Sequence, residues 1–140
     1  DAVKAVNGFD EGFIRYQDVE FMLRIADRFK VLAVDQVLVE KNCKQRNIPD
    51  YRKYKQVREK AFKKYDYLVE RLDEHERKKF FSHQYRLLFE LALMSGTKED
   101  IKNAKENLKK YEEISFKDDI KASMPNLYRW WLMKKEEFKK

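Results

Sequence analysis

The chain has 140 residues, of which 43% are hydrophobic and 14% aromatic, enough for one domain with its own core and too few for two large ones. That apolar content argues for a folded protein and against an intrinsically disordered one. Charged residues make up 41%, the net charge is +7, and only three Gly and two Pro are present, a balance that favours long helices with solvated charged faces over a turn-rich all-β fold.

The chain opens on Asp1 in place of an initiator Met, the start expected of a processed chain or an excised fragment. "NGFDEGF", residues 7–13, begins with the turn dipeptide Asn-Gly and sets Phe9 between Gly8 and the pair Asp10-Glu11. A surface loop pinned by one buried ring is expected. Residues 15–29 read as a first helix, with Val19, Met22, Leu23, Ala26 and Phe29 forming an apolar stripe at three- and four-residue steps. Its opening "YQDVEF" puts Asp18 and Glu20 in the first turns, where free amides and the helix dipole favour an anionic side chain. Two positions apart, they point in different directions and do not form the facing carboxylate pair of a glycosidase. Asp18 fits two roles, a base toward a hydroxyl or a plain helix cap.

Then the period changes. "KVLAVDQVLVEK", residues 30–41, is rich in Val and Leu and broken by Asp35-Gln36, which predicts two short strands, or one bent strand, turning at the polar pair. This element is too small to be a sheet by itself, so its strands call for partners outside the chain. A polar connector over residues 42–49 holds Cys43, the single cysteine; with no histidine nearby in sequence to activate it, an unreactive thiol in a reducing compartment is expected.

Asp50 is expected to cap a helix over residues 50–72 with the stripe Val57, Ala61, Phe62, Tyr65, Leu68, Val69 and Leu72. Residues 74–95 predict the central, most buried helix, apolar round most of its later circumference. Gly96 suits a left-handed position at its end. Thr97 with Asp100 resembles a capping box with Asp in place of Glu, and Ile101, Ala104, Leu108, Tyr111 and Ile114 form the stripe behind it. "SFKDDIKAS" then connects to Pro125, placed in the first turn of a last helix carrying Leu127, Trp130, Trp131 and Phe138. The fold class that follows is mainly α: a bundle of four to five helices with a short two-stranded β element near the N-terminus.

Residues 1–41 carry six Lys/Arg against eight Asp/Glu, and the remainder 26 against 17. A basic excess of this kind can meet an anionic membrane surface, an acidic partner or nucleic acid, but acidic residues are interleaved throughout and no nucleic-acid motif is present, so nucleic acid is not expected. His75 and His83 are eight apart, not at chelating spacing. "LYRWWLMKK", residues 127–135, pairs aromatics with cations and fits a membrane interface, a sugar-stacking clamp, or a terminal helix packing its tryptophans on the bundle.

Taken in order, Gly8-Phe9-Asp10-Glu11, Gln17-Asp18, Leu23-Arg24 and Val31 through Val39 resemble the C-terminal end of the catalytic domain of family 2 inverting glycosyltransferases, of GT-A fold. The resemblance covers about residues 3–41. It implies transfer of a sugar from a nucleotide-diphosphate donor to an acceptor hydroxyl, with Asp18 as general base and Gly8, Phe9, Asp10 and Glu11 bordering the acceptor. Gln17, the neighbour of the base at the helix start, stands where the family has Glu, and the histidine often found after the last strand has no match in "EKNCKQRN". The nucleotide-binding strands and the Asp-x-Asp motif that holds a divalent metal, Mg2+ or Mn2+, belong N-terminal to this stretch in the family. No metal site is expected in this chain, and the fragment alone is expected to be inactive, since metal or cationic stabilisation of the leaving diphosphate is a large part of catalysis. On this reading residues 1–41 are the edge of a GT-A domain and residues 42–140 a helical extension. Polysaccharide or glycolipid synthesis in a bacterium, in the cytoplasm or at the inner face of its membrane, is the implied setting. Exposed apolar faces left over from a larger core imply self-association. The alternative is a non-enzymatic basic helical module for binding or oligomerisation.

Overall fold

The computed structural model describes residues 1–40 and 48–137, and is mainly helical, with eight helices among them. A single turn, α1 (Ala2–Ala5), leads through the Asn7-Gly8 turn to α2 (Gln17–Arg28). The helical body follows as α3 (Tyr51–Lys64), α4 (Asp66–Val69), α5 (Glu74–Ser95), α6 (Lys98–Leu108), α7 (Phe116–Ser123) and α8 (Pro125–Glu137). Cys43 and Phe138 lie outside the described residues.

Caps set the boundaries. Asp50 accepts a hydrogen bond from Lys53 N–H and starts α3. Asp73 and Glu76 form a reciprocal capping box at α5, and Thr97 and Asp100 form another at α6. α5 is the axis of the bundle. Its Leu88, Phe89, Leu91, Ala92 and Leu93 join Tyr51 of α3 and Ile101, Ala104 and Leu108 of α6 in one buried cluster. α6 folds back along α5, and α8 lies across the end of α5, where Arg129 donates to the carbonyls of Leu93 at 2.7 Å and Gly96 at 2.6 Å.

Several expectations are corrected. The two-stranded β element is not present: residues 30–40 form no ladder, bend at Asp35 and Gln36, and are exposed throughout. Val and Leu at these positions suit a pleated, half-buried surface, and strand propensity is realised only where a neighbouring strand takes up the N–H and C=O groups. The helix expected over residues 50–72 breaks at Tyr65 (φ −113°, ψ 20°) and resumes as α4. "SFKDDIKAS" is not a connector but α7, capped by the Ser115 side chain. Gly96 is extended (φ −87°, ψ 167°); glycine is needed there because a Cβ would stand 2.8 Å from the Ala92 carbonyl oxygen that its own N–H meets. The ring that pins the first loop is Phe13, fully buried, whereas Phe9 is exposed and lies against Phe21.

The stripe of α2 is also rotated from its expected place. Val19, Met22 and Phe29 are 38%, 47% and 39% exposed, while Glu20 is completely buried. The one fully buried side chain of the helix is therefore a charged one, with Leu23 only half-buried beside it.

Candidate functional site

The first loop, α2 and α3 are joined by a buried ionic cluster. Glu20 is paired with Arg24 one turn on and with Lys64 of α3, each at 2.7 Å, and accepts a hydrogen bond from the Tyr65 hydroxyl. Arg24 also donates to the carbonyl of Gly8 at 2.7 Å and to that of Val6. Lys64 reaches Asp10 at 2.6 Å, and Lys60 donates to the Gly12 carbonyl at 2.5 Å with its ammonium over the Phe13 ring. Glu20 and Asp10 are matched by Arg24 and Lys64, which is what burial of charge requires. Burial pushes the Glu20 carboxyl up, but the hydrogen bonds from Arg24, Lys64 and Tyr65 outweigh it and hold the group below its ordinary range. Burial, with the bond to Glu20, pushes the Tyr65 phenol up to about 12.

This cluster fixes the start of α2, whose backbone is unusual. Tyr16 precedes the helix with φ 69° and no side-chain cap, a left-handed conformation that costs a non-glycine residue roughly 1–3 kcal/mol. The surroundings hold it in place: the Tyr16 hydroxyl accepts a hydrogen bond from Arg58 Nη1 at 2.6 Å, and the guanidinium lies between the Tyr16 and Tyr54 rings, 4.5 and 5.2 Å from their centroids. Cation–π contacts of this kind contribute about 0.5–2 kcal/mol each. Burial pushes the Tyr16 phenol above its ordinary value, against the pull of the Arg58 charge.

Beside this sandwich an open groove of about 810 Å³ runs between the first loop and the helical body. Phe9, Tyr16, Gln17 and Asp18 line one wall, and Tyr54, Arg58, His83 and Gln84 the other. Asp18 is exposed in the first turn of α2 and accepts a hydrogen bond from Val19 N–H at 2.9 Å; no cation pairs with it among the described residues. Behind the groove lies an apolar cleft of about 380 Å³, lined by Val19, Leu23, Phe62, Leu68 and Phe80 among others.

Of the residues singled out from sequence, Phe9, Gln17 and Asp18 therefore share one groove. Asp10 lines a separate recess of about 320 Å³ with Arg24, Arg28 and Lys64, and Phe9 borders both. Gly8 serves the turn, with φ 65°, and its carbonyl anchors Arg24. Glu11 is exposed and borders neither space. His83 reaches the groove, and His75 does not.

Arg58 and Gln84 were not apparent as site residues, although a signal exists for the first. Tyr51, Tyr54, Arg58, Ala61 and Tyr65 recur at steps of 3, 4, 3 and 4, so a charged residue sits in the middle of the buried face of α3. Glu20 is the same kind of signal on α2. A cation in a core stripe needs a partner, and finding which one takes the tertiary structure. Among the described residues no group of three or more His, Cys, Asp or Glu side chains is placed to hold a metal ion.

Comparison of the chain with protein-family models, with curated proteins and with solved structures found no match in any of the three.

Proposed function

We propose that this chain is the C-terminal, acceptor-side part of an inverting glycosyltransferase, with residues 1–41 the edge of the catalytic domain and residues 42–140 a helical extension. Asp18 is the general base that takes the proton of an acceptor hydroxyl, Phe9 borders the acceptor, and the donor nucleotide sugar and its Mg2+ or Mn2+ are held by the N-terminal half of the same enzyme. The observation that carries the reading is an exposed carboxylate, without an ion pair among the described residues, at a helix start on the wall of an open groove. A base must be within reach of substrate, a condition that the exposed Asp18 meets and the buried, fully paired Glu20 does not. The exposed apolar residues of α2 and of residues 31–39 further support it, since they are the faces that a larger catalytic domain would cover.

In the complete enzyme, Asp18→Asn is expected to abolish sugar transfer while leaving donor binding intact. Retained transfer removes Asp18 from the base role. If the reading frame upstream of Asp1 encodes no strand-rich segment with an Asp-x-Asp within one domain's length, the glycosyltransferase reading fails altogether. An anionic membrane surface remains a proposed partner for α8, where Trp130 and Trp131 are about half exposed and Lys135 lies over the Trp131 ring. No helix among the described residues is long and apolar enough to cross a membrane.

A further inference from the structure

Arg58 is 4% exposed, yet no carboxylate pairs with its guanidinium among the described residues. Of its five N–H donors, one is satisfied by the Tyr16 hydroxyl, and Nε is buried without an acceptor. The two tyrosine faces offset part of the cost of holding this cation away from water, but ring faces leave in-plane N–H groups unanswered. One helix away, Gln84 is 9% exposed and its Oε1, an acceptor, is buried without a donor. Both side chains line the groove that also carries Asp18. A buried cation short of acceptors, a buried amide and an accessible carboxylate thus border one groove. The complement of that set is a molecule with an oxyanion for Arg58 and hydroxyls for Gln84 and Asp18.

We propose that the groove binds an acidic sugar, its carboxylate or phosphate oxygens on the Arg58 guanidinium and its hydroxyls toward the Gln84 amide and Asp18. The planar fork of arginine meets a carboxylate or a phosphate through paired N–H donors. The Asp18 carboxylate in the same groove disfavours a second anionic group at that end, so charge on the ligand belongs at the Arg58 end. This deepens the acceptor reading by naming the acceptor's chemistry, and it rests on that reading only for Asp18; the Arg58 and Gln84 contacts stand without it.

The test is a titration of the whole 140-residue chain, followed through the Arg58 Nε–Hε signal and the amides of residues 16–19 by proton–nitrogen NMR. Glucuronate, glucose 6-phosphate and neutral glucose are the probes. Either acidic sugar is expected to move the Arg58 signal and to bind at least about tenfold more tightly than glucose, the ratio of about 1.4 kcal/mol per decade that one charge-assisted contact supplies. A response to glucuronate alone assigns a carboxylate, to glucose 6-phosphate alone a phosphate, and to both a general oxyanion site. Gln84→Leu, which removes an unsatisfied buried polar atom and so keeps the fold, is expected to weaken acidic-sugar binding several-fold while leaving the Arg58 shift in place. Arg58→Gln is expected to abolish the preference for acidic over neutral sugar, and Arg58→Lys to keep part of it. An Arg58 signal unmoved by both acidic sugars, or equal binding of glucose, overturns the proposal. These outcomes are separate from the base assignment: sugar transfer lost in Asp18→Asn with no acidic-sugar binding leaves the glycosyltransferase reading and removes this one, and the converse result does the reverse.

Discussion

Replacing Glu20 with Gln tests whether the ionic cluster, rather than apolar packing, holds the first loop and α2 on the helical body. The side chain keeps its shape and loses its charge. One amide oxygen can still accept from Tyr65 or Lys64, but the amide NH2 meets donors of Arg24 where a carboxylate oxygen had accepted them. Breaking a fully buried pair from one side costs about 3–5 kcal/mol, because the remaining charge is stranded. Glu20 is fully buried, but the side chains of Arg24 and Lys64 are 19% and 37% exposed and recover part of their hydration. Lys64 also keeps Asp10. The expected cost is therefore lower, about 2–3 kcal/mol at neutral pH, read as a shift of the urea midpoint in the helical circular dichroism signal, or roughly 6–12 °C in Tm. The pH dependence gives a second check. The Glu20 carboxyl is held below its ordinary value of 4.5, so its contribution is complete above that pH and is lost as pH falls through the lower folded value. The gap between the wild-type protein and Glu20→Gln must therefore narrow under acid. A cost below about 0.5 kcal/mol, or a gap that does not change with pH, would refute the reasoning.

Asp118 allows the same sign to be tried in the helical body. Burial works against its ionised form, but Arg86, Ser115 and Lys121 lower the carboxyl from 3.8 to about 2, so Asp118→Asn is expected to cost about 2 kcal/mol at neutral pH, the difference fading between about pH 4 and pH 2 in acid unfolding curves. Arg129→Met removes the donors that meet the last carbonyls of α5; about 1–2 kcal/mol of stability and the amide-exchange protection of residues 91–96 are expected to be lost together. Val31, Leu32, Val34, Val37, Leu38 and Val39 are all at least 49% exposed, so sedimentation equilibrium is expected to show a mass rising with concentration, and Asp at Leu32 and Leu38 to return it toward the monomer. A single monomeric mass at every concentration counts against self-association.

What could be read from the sequence was whatever depends on near neighbours. The Asp50 cap, the Thr97–Asp100 box and the long apolar α5 are decided within a few residues, and each stands where the pattern put it. The break at Tyr65 escaped because the apolar spacing continues smoothly through it, while the Tyr65 hydroxyl is drawn to a carboxylate 45 residues away. Residues 30–40 have strand composition without a strand partner, and composition carries no information about whether one is at hand. The candidate site divides along the same line. Asp18 at the start of a helix is a local feature. Its groove is closed by Arg58, His83 and Gln84, which only the packing of α3 and α5 against the first loop brings within reach.

The attachment of that loop has a further consequence, for ionic strength. The first 28 residues are held on α3, α4 and the turn after α4 by Glu20–Lys64, Asp10–Lys64, Lys60–Gly12, Tyr16–Arg58 and the pairs of Asp27 with Tyr67 and Arg71, whereas the α5–α6 hairpin is held by a contiguous apolar cluster. The partly exposed pairs among the first set weaken as the Debye length contracts from about 10 Å at 0.1 M salt to about 3 Å at 1 M, while apolar burial does not. Salt should therefore undock the first 28 residues before it loosens the helical body, as a locally cooperative unit of lower stability.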